Sequence, residues 1–202
     1  MIETARREKV RLRFVEPERL PRGCRHQGII ARRSQTELLP LEELVQQAAA
    51  GSGRILILDS LQDPRNLGSI LRSALAAGFN FIILTRERSA PLSGTVARTS
   101  AGATAHLQIT QVVNLADTLQ QLQEQGFWIY GSVVDRNAQS IYTTDFSGKI
   151  GLVIGSEGKG IRPLVKKHCD HLVTIPMSTD FNSLNASVAA ALIMFEVVRQ
   201  QL

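Results

Sequence analysis

Beyond residue 40 the chain alternates short, continuous apolar runs with stretches of helical pattern, and this constrains the fold more than any other feature. Residues 55–59, 81–84, 127–133, 150–154 and 172–175 read as strands rich in Val, Ile and Leu, joined by one near 107–113. Helical pattern fills the gaps. It covers 41–50, stopped by Gly51, and a helix running through Ala77, ended by Gly78. It returns around 92–99, from an Asn114 cap to Gln125, around 163–168, and over 183–200. Strands that are apolar on both faces need helices on both sides, so the pattern predicts an α/β fold around a parallel sheet. In such sheets ligands bind beyond the carboxyl ends of the strands. Three chemically unusual loops lie there: 59–72, 154–161 and 175–185.

Composition narrows the classes. At 202 residues, with 44% apolar and 20% charged, the chain can bury a core without staples. Two cysteines, Cys24 and Cys169, imply no disulfide framework. No apolar run reaches membrane-spanning length and the N-terminus lacks an apolar signal core, so the expected location is the cytoplasm. Net charge is +5, but residues 1–33 hold ten basic residues against four acids, leaving the rest nearly neutral. A basic arm on a neutral body suits a polyanion such as nucleic acid, although a solvated tail would show the same charge. Nine of the ten are arginines, whose planar forks match phosphate geometry. Residues 1–30 are read as an arm or linker and 31–202 as the folded domain.

The first loop continues into Asn66-Leu-Gly68 and Arg72. Asn66 can cap the helix, Gly68 permits close backbone approach, and six residues of spacing lets Asn66 and Arg72 face one end of the sheet. The second, Gly155-Ser-Glu157-Gly-Lys-Gly160, is neither a dinucleotide fingerprint nor a phosphate loop, yet its glycines imply that something approaches the backbone closely. In the third, Ser183, Asn185 and Ser187 open a helix, where they either cap it or hold a polar ligand. His168-Cys169-Asp170-His171 carries metal-ligand residue types, but adjacent residues rarely converge on one ion, so no metal is expected. Trp128 and Tyr130, in a strand, are expected in the core.

Together the loops resemble motifs 1, 2 and 3 of the SpoU-type RNA 2′-O-ribose methyltransferases of the SPOUT superfamily. The matching residues are Asn66-x-Gly68-x-x-x-Arg72, Ile154-Gly-Ser-Glu-Gly-x-Gly160, and Ile175-Pro-Met177 with Ser183-Leu-Asn-Ala-Ser187. His26-Gln-Gly-Ile-Ile-Ala31, Ser89-Ala-Pro-Leu92, Ser100-Ala-Gly-Ala103 with His106, and Gly126-Phe-Trp-Ile-Tyr130 are similar to the bacterial branch that methylates a guanosine ribose in 23S rRNA. The resemblance implies a Rossmann-like sheet with a C-terminal trefoil knot, a homodimer, and S-adenosylmethionine as cofactor. Gly155, Ile175 and Leu184 would line its pocket, with Ser132, Ile154 and Met177 nearby. Asn66, Arg72, Glu157, Ser183 and Asn185 match the family's polar site residues. Arg72 would hold substrate phosphate and lower the hydroxyl's pKa, with Asn66 fixing Arg72. Glu157 would hold the dimer-site network or position Arg72, and Ser183 and Asn185 would hold the loop and the ribose. No metal and no membrane are implied. Relatives carry an N-terminal RNA-capturing domain, of which the basic arm would be a remnant. A tRNA ribose methyltransferase and a catalytically silent, knotted RNA-binding or ribosome-assembly factor are the alternatives. A nucleotide-binding α/β protein is disfavoured by the missing phosphate motifs.

Overall fold

Period-two alternation sets the two faces of the sheet. In β1 (Arg54–Leu58), Leu56 and Leu58 enter one apolar cluster while Ile55 and Ile57 enter another. The remaining strands are β2 (Phe81–Thr85), β3 (Gln108–Val112), β4 (Phe127–Ser132), β5 (Gln139–Ser140), β6 (Lys149–Ile154) and β7 (His171–Thr174). They form one sheet in the order β3-β2-β1-β6-β4-β7-β5, and every pairing is parallel. The computed structural model describes residues 2–20, 28–30, 37–135, 137–179 and 183–202. Two units are distinguished, Met1–Gln35 and Thr36–Leu202, and the sheet belongs to the second.

Helices cover both faces, as the strand composition requires. On one face lie α3 (Pro64–Ala76), α4 (Gly94–Thr99) and α7 (Ala186–Gln200), contributing Ile70, Leu71, Val96, Ile193 and Val197 to the core. On the other lie α2 (Leu41–Ala50), α5 (Leu115–Glu124) and α6 (Pro163–Lys167), contributing Leu44, Leu119, Leu122 and Val165. Gly68 of α3 makes the α3–α4 contact: a Cβ there would stand 2.6 Å from Thr99 Cβ and 2.9 Å from the Val96 carbonyl. The close approach expected at Gly68 is therefore to a neighbouring helix.

Two expected caps differ. Asp63, not Asn66, caps α3, its carboxylate accepting from Arg65 N at 2.7 Å. Pro64 fits the first helical position because its missing N–H needs no partner there, and this starts the helix earlier. Asn114 makes no side-chain cap; its amide donates to Asp117 instead. The two-residue β5 is too short to leave a pattern in the sequence. Trp128 departs from expectation as well. Tyr130 is buried, but Trp128 is 53% exposed, its ring 5.6 Å from that of His171.

The first unit contains α1 (Ile2–Arg7) and a 3-10 turn at Pro17–Arg19, neither with a buried residue. Cys24, Arg22, Arg25, His26, Arg32 and Arg33 lie outside the described residues. Among the described residues no helix is long and apolar enough to cross a membrane.

Two outcomes follow from this packing. Gly68→Leu should lower stability by about 1–3 kcal/mol through overpacking against α4, read by denaturant unfolding. Near the end of α7, hydrogen bonds from Arg199 and Gln200 hold the Glu196 carboxyl down to about 2. A depressed carboxyl stabilises the fold above its unfolded pKa and stops doing so as pH falls through the folded one. The Tm gap between the native chain and Glu196→Gln should be constant above about pH 5 and close between about pH 4.5 and 2.

Candidate active site

The strand order reverses between β1 and the β6–β4 pair. The chain builds outward from β1 to β2 and β3, then returns to the other side of β1. That reversal opens a crevice at the carboxyl ends. The three unusual loops follow β1, β6 and β7. β1 and β6 are neighbours, but β4 separates β6 from β7, so four strand ends surround the crevice.

The second loop springs from β6. What approaches Gly155 is its own loop: a Cβ there would overlap the backbone of Gly160 and Ile161. The loop closes by two backbone bonds, Ser156 N to Gly160 O (3.1 Å) and Gly160 N to Ser156 O (2.9 Å). Gly158 and Gly160 have φ of +83° and +65°, which glycine adopts without steric cost. The turn so formed exposes Glu157.

Glu157 ends a chain of side-chain hydrogen bonds that starts at α7. Asn66 Nδ2, in the first turn of α3, donates to Glu157 Oε1 at 2.7 Å. Asn185 Nδ2 donates to Asn66 Oδ1 at 3.1 Å, while Asn185 Oδ1 caps α7 by accepting from Ser187 N (2.9 Å) and Oγ (2.6 Å). Each amide thus has its oxygen and nitrogen both occupied, which fixes its orientation. The bonds run in one direction, from the amino end of α7 through two amides to a carboxylate. Dipoles aligned this way reinforce one another. All three sequence motifs contribute a member.

Arg72 is not in the chain. Six residues beyond Asn66, it lies ~9 Å further along α3 and ~120° around it. Its exposed side chain makes no hydrogen bond or ion pair among the described residues, so neither Asn66 nor Glu157 holds it. Ser183 is exposed and likewise unbonded among the described residues.

The six residues expected around the cofactor follow the strand ends. Register pairs Gly131 with Val153 and Ser132 with Val173. Ser132, Ile154 and Ile175 therefore sit within two residues of one line across β4, β6 and β7. Gly155 follows Ile154, and Met177 and Leu184 lie between β7 and α7. None of the six is charged. Ile154 and Gly155 are buried, and the other four half-buried. Apolar walls with backbone polar groups at strand ends fit a neutral adenosine moiety.

Sequence reasoning passed over Asp59, the residue that anchors the glycine loop. It is fully buried after β1, and its carboxylate accepts from Arg162 N (2.9 Å), Arg162 Nε (2.6 Å) and Ser60 Oγ (3.1 Å). An acid ending an apolar strand run was the available signal. The His168–His171 cluster is used structurally. Cys169 Sγ donates to Val165 O, and Asp170 accepts from Ile129 N and Gln123 Nε2. The His171 ring stacks 5.0 Å from Tyr130. Burial, helped by nearby Asp170, pushes the Cys169 thiol up to about 12.

A parallel sheet with helices on both faces, and a hydrogen-bonded chain joining three of its loops at the strand-order reversal, make this a doubly wound α/β domain. Residues 53–195 match the SpoU rRNA Methylase family, and the chain belongs to that family. It is 45% identical to a 23S rRNA (guanosine-2'-O-)-methyltransferase of Xanthomonas campestris pv. campestris, over 99% of this chain and 82% of that protein. Among solved structures it resembles a TrmH-family protein from Porphyromonas gingivalis (38% identity, TM-score 0.67, 72% of this chain and 59% of that one). It also resembles the SpoU methyltransferase AviRb from Streptomyces viridochromogenes in complex with AdoMet (28%, TM-score 0.67, 73% and 60%). The chain thus spans about three fifths of the length of these two structures.

Asp59→Ala should cost about 1–3 kcal/mol, because Arg162 N loses its partner, and should speed amide exchange across residues 155–162. Unchanged exchange there would show that the loop closes without Asp59.

Proposed function

We propose that this chain transfers a methyl group from S-adenosylmethionine to a ribose 2′-hydroxyl of RNA, the target being a guanosine of 23S rRNA. The observation that carries this is the bonded chain Ser187–Asn185–Asn66–Glu157, which unites all three motif loops at the sheet reversal. The names of relatives agree with it, one being a 23S rRNA (guanosine-2'-O-)-methyltransferase. Ser132, Ile154, Gly155, Ile175, Met177 and Leu184 would hold the cofactor, which supplies a methyl group on a positively charged sulfur.

The protein's part is alignment and proton management. Arg72 carries a guanidinium, a cation with five N–H donors and no acceptor site for a proton. It therefore acts on the incoming hydroxyl through its field and by gripping the adjacent phosphate, not as a base. Glu157, held by Asn66, is a fixed carboxylate on the turn facing α3. Asn185, by capping α7, holds the segment from which Leu184 enters the cradle, and Ser183, exposed beside it, meets the ribose.

Residues 31–202 form the catalytic domain, and residues 1–30 a basic arm that assists RNA capture. The protein works as a homodimer. In its support, Val188, Leu192 and Phe195 recur along one side of α7 and are all exposed, a stripe a second copy would cover. The C-terminal segment is tied into a trefoil knot. Supporting this, β6 fills the place between β1 and β4, and its loop folds tightly on itself beside Asp59.

Transfer of labelled methyl to unmodified 23S rRNA and tRNA transcripts tests the reading, alongside calorimetric titration with S-adenosylmethionine. Arg72→Ala should cut transfer by about 100-fold or more while cofactor affinity stays within about twofold. Near-full transfer by this variant would remove Arg72 from the mechanism. Methylation of tRNA alone would reassign the substrate, and no binding of cofactor would leave a silent RNA-binding factor.

A further inference from the structure

The near-neutral total of the body hides a second concentration of positive charge. Residues 64–116 contain five arginines, Arg65, Arg72, Arg86, Arg88 and Arg98, and a single acid, Glu87. All five arginines are exposed, and none pairs with an acid among the described residues.

Four of them lie on α3, on α4 and in the loop between β2 and α4. Arg65 and Arg72 are seven residues apart on α3, so they lie within ~20° of one another around the helix. Their side of α3 lies ~50° round from Gly68, the residue packed against Thr99 of α4. Arg98 Nη2 donates to Thr95 Oγ1, one turn before Thr99, which lays this guanidinium toward the same α3–α4 seam. Arg88 belongs to the β2–α4 loop. Ala90 N bonds Leu61 O at 2.8 Å, and Ser60 N bonds Thr85 Oγ1 at 3.0 Å, joining that loop to the one after β1.

We propose that Arg65, Arg88 and Arg98 form a phosphate-binding track that leads RNA along the α3–α4 edge to Arg72. This rests on the methyl-transfer reading for its direction, but the binding it describes is measured separately. Unpaired arginines keep their full field, and their forks match phosphate oxygens bidentately. A membrane surface fits less well, because such a surface needs apolar anchors, and Val113 is the one large apolar residue exposed within residues 64–116. The track specifies position on the backbone rather than base identity.

The test compares the full chain with the triple variant Arg65→Gln, Arg88→Gln, Arg98→Gln. The control is Lys149→Gln, Lys166→Gln, Lys167→Gln, which removes as much charge elsewhere. Fluorescence anisotropy with a 23S rRNA fragment is read from about 50 to 200 mM salt, with transfer kinetics and cofactor titration in parallel. The arginine variant should bind RNA about 10–100-fold more weakly, and its slope of log affinity against log salt should fall by about 2. Its KM should rise while kcat and cofactor affinity stay within about twofold, and the lysine control should match the native chain. Unchanged RNA affinity and slope in the arginine variant, or an equal loss in the control, would overturn the track. Native RNA binding that depends on these arginines, without methyl transfer, would uphold the track and refute the catalytic reading.

Discussion

Strand β6 is bonded along its length to β1 on one side and β4 on the other, and the candidate site hangs from its carboxyl end. Being central, it cannot shift register without breaking two ladders and turning Ile150, Leu152 and Ile154 out of their cluster. The position of Glu157 is inherited from that constraint. Only Gly155 and Ser156 separate it from Ile154, and it lies within the closed backbone turn. Asp59 secures the same loop from the β1 side, so the segments that carry the first and second motifs are joined by the Asp59–Arg162 ion pair as well as through Asn66.

The proposed mechanism divides the labour. The residues proposed for the cradle are uncharged and lie at or beyond strand ends. Charge is kept outside it, on Glu157 and Arg72, and the two are not bonded to each other. A guanidinium not committed to a carboxylate remains available to an anionic substrate. The same reasoning gives the unpaired arginines of α3 and α4 their role.

Much of the sheet was legible because its strands are apolar on both faces, which leaves few other folds. The helix at 41–50 and the strand at 81–84 needed only periodicity and a terminating glycine or a polar flank. What sequence could not show is which side of a helix meets which loop. Asn66 and Arg72 look like partners at a spacing of six, yet the pitch of α3 sends them apart, and Asn66 bonds Glu157 ninety-one residues away. Trp128 was misplaced because alternation puts it on the same face as Tyr130, whereas cover over that face stops short of it. The roles of Asp59 and Arg162 depend on a contact across 103 residues, which no local pattern records.

The glycine loop shuts through main-chain groups, and Lys159 lies within it, exposed, its side chain making no hydrogen bond or ion pair among the described residues. Its side chain therefore takes no part in holding the turn. Position 159 offers an attachment point for a fluorophore or photocrosslinker, where a label can report on whatever enters the crevice without loosening the frame around it.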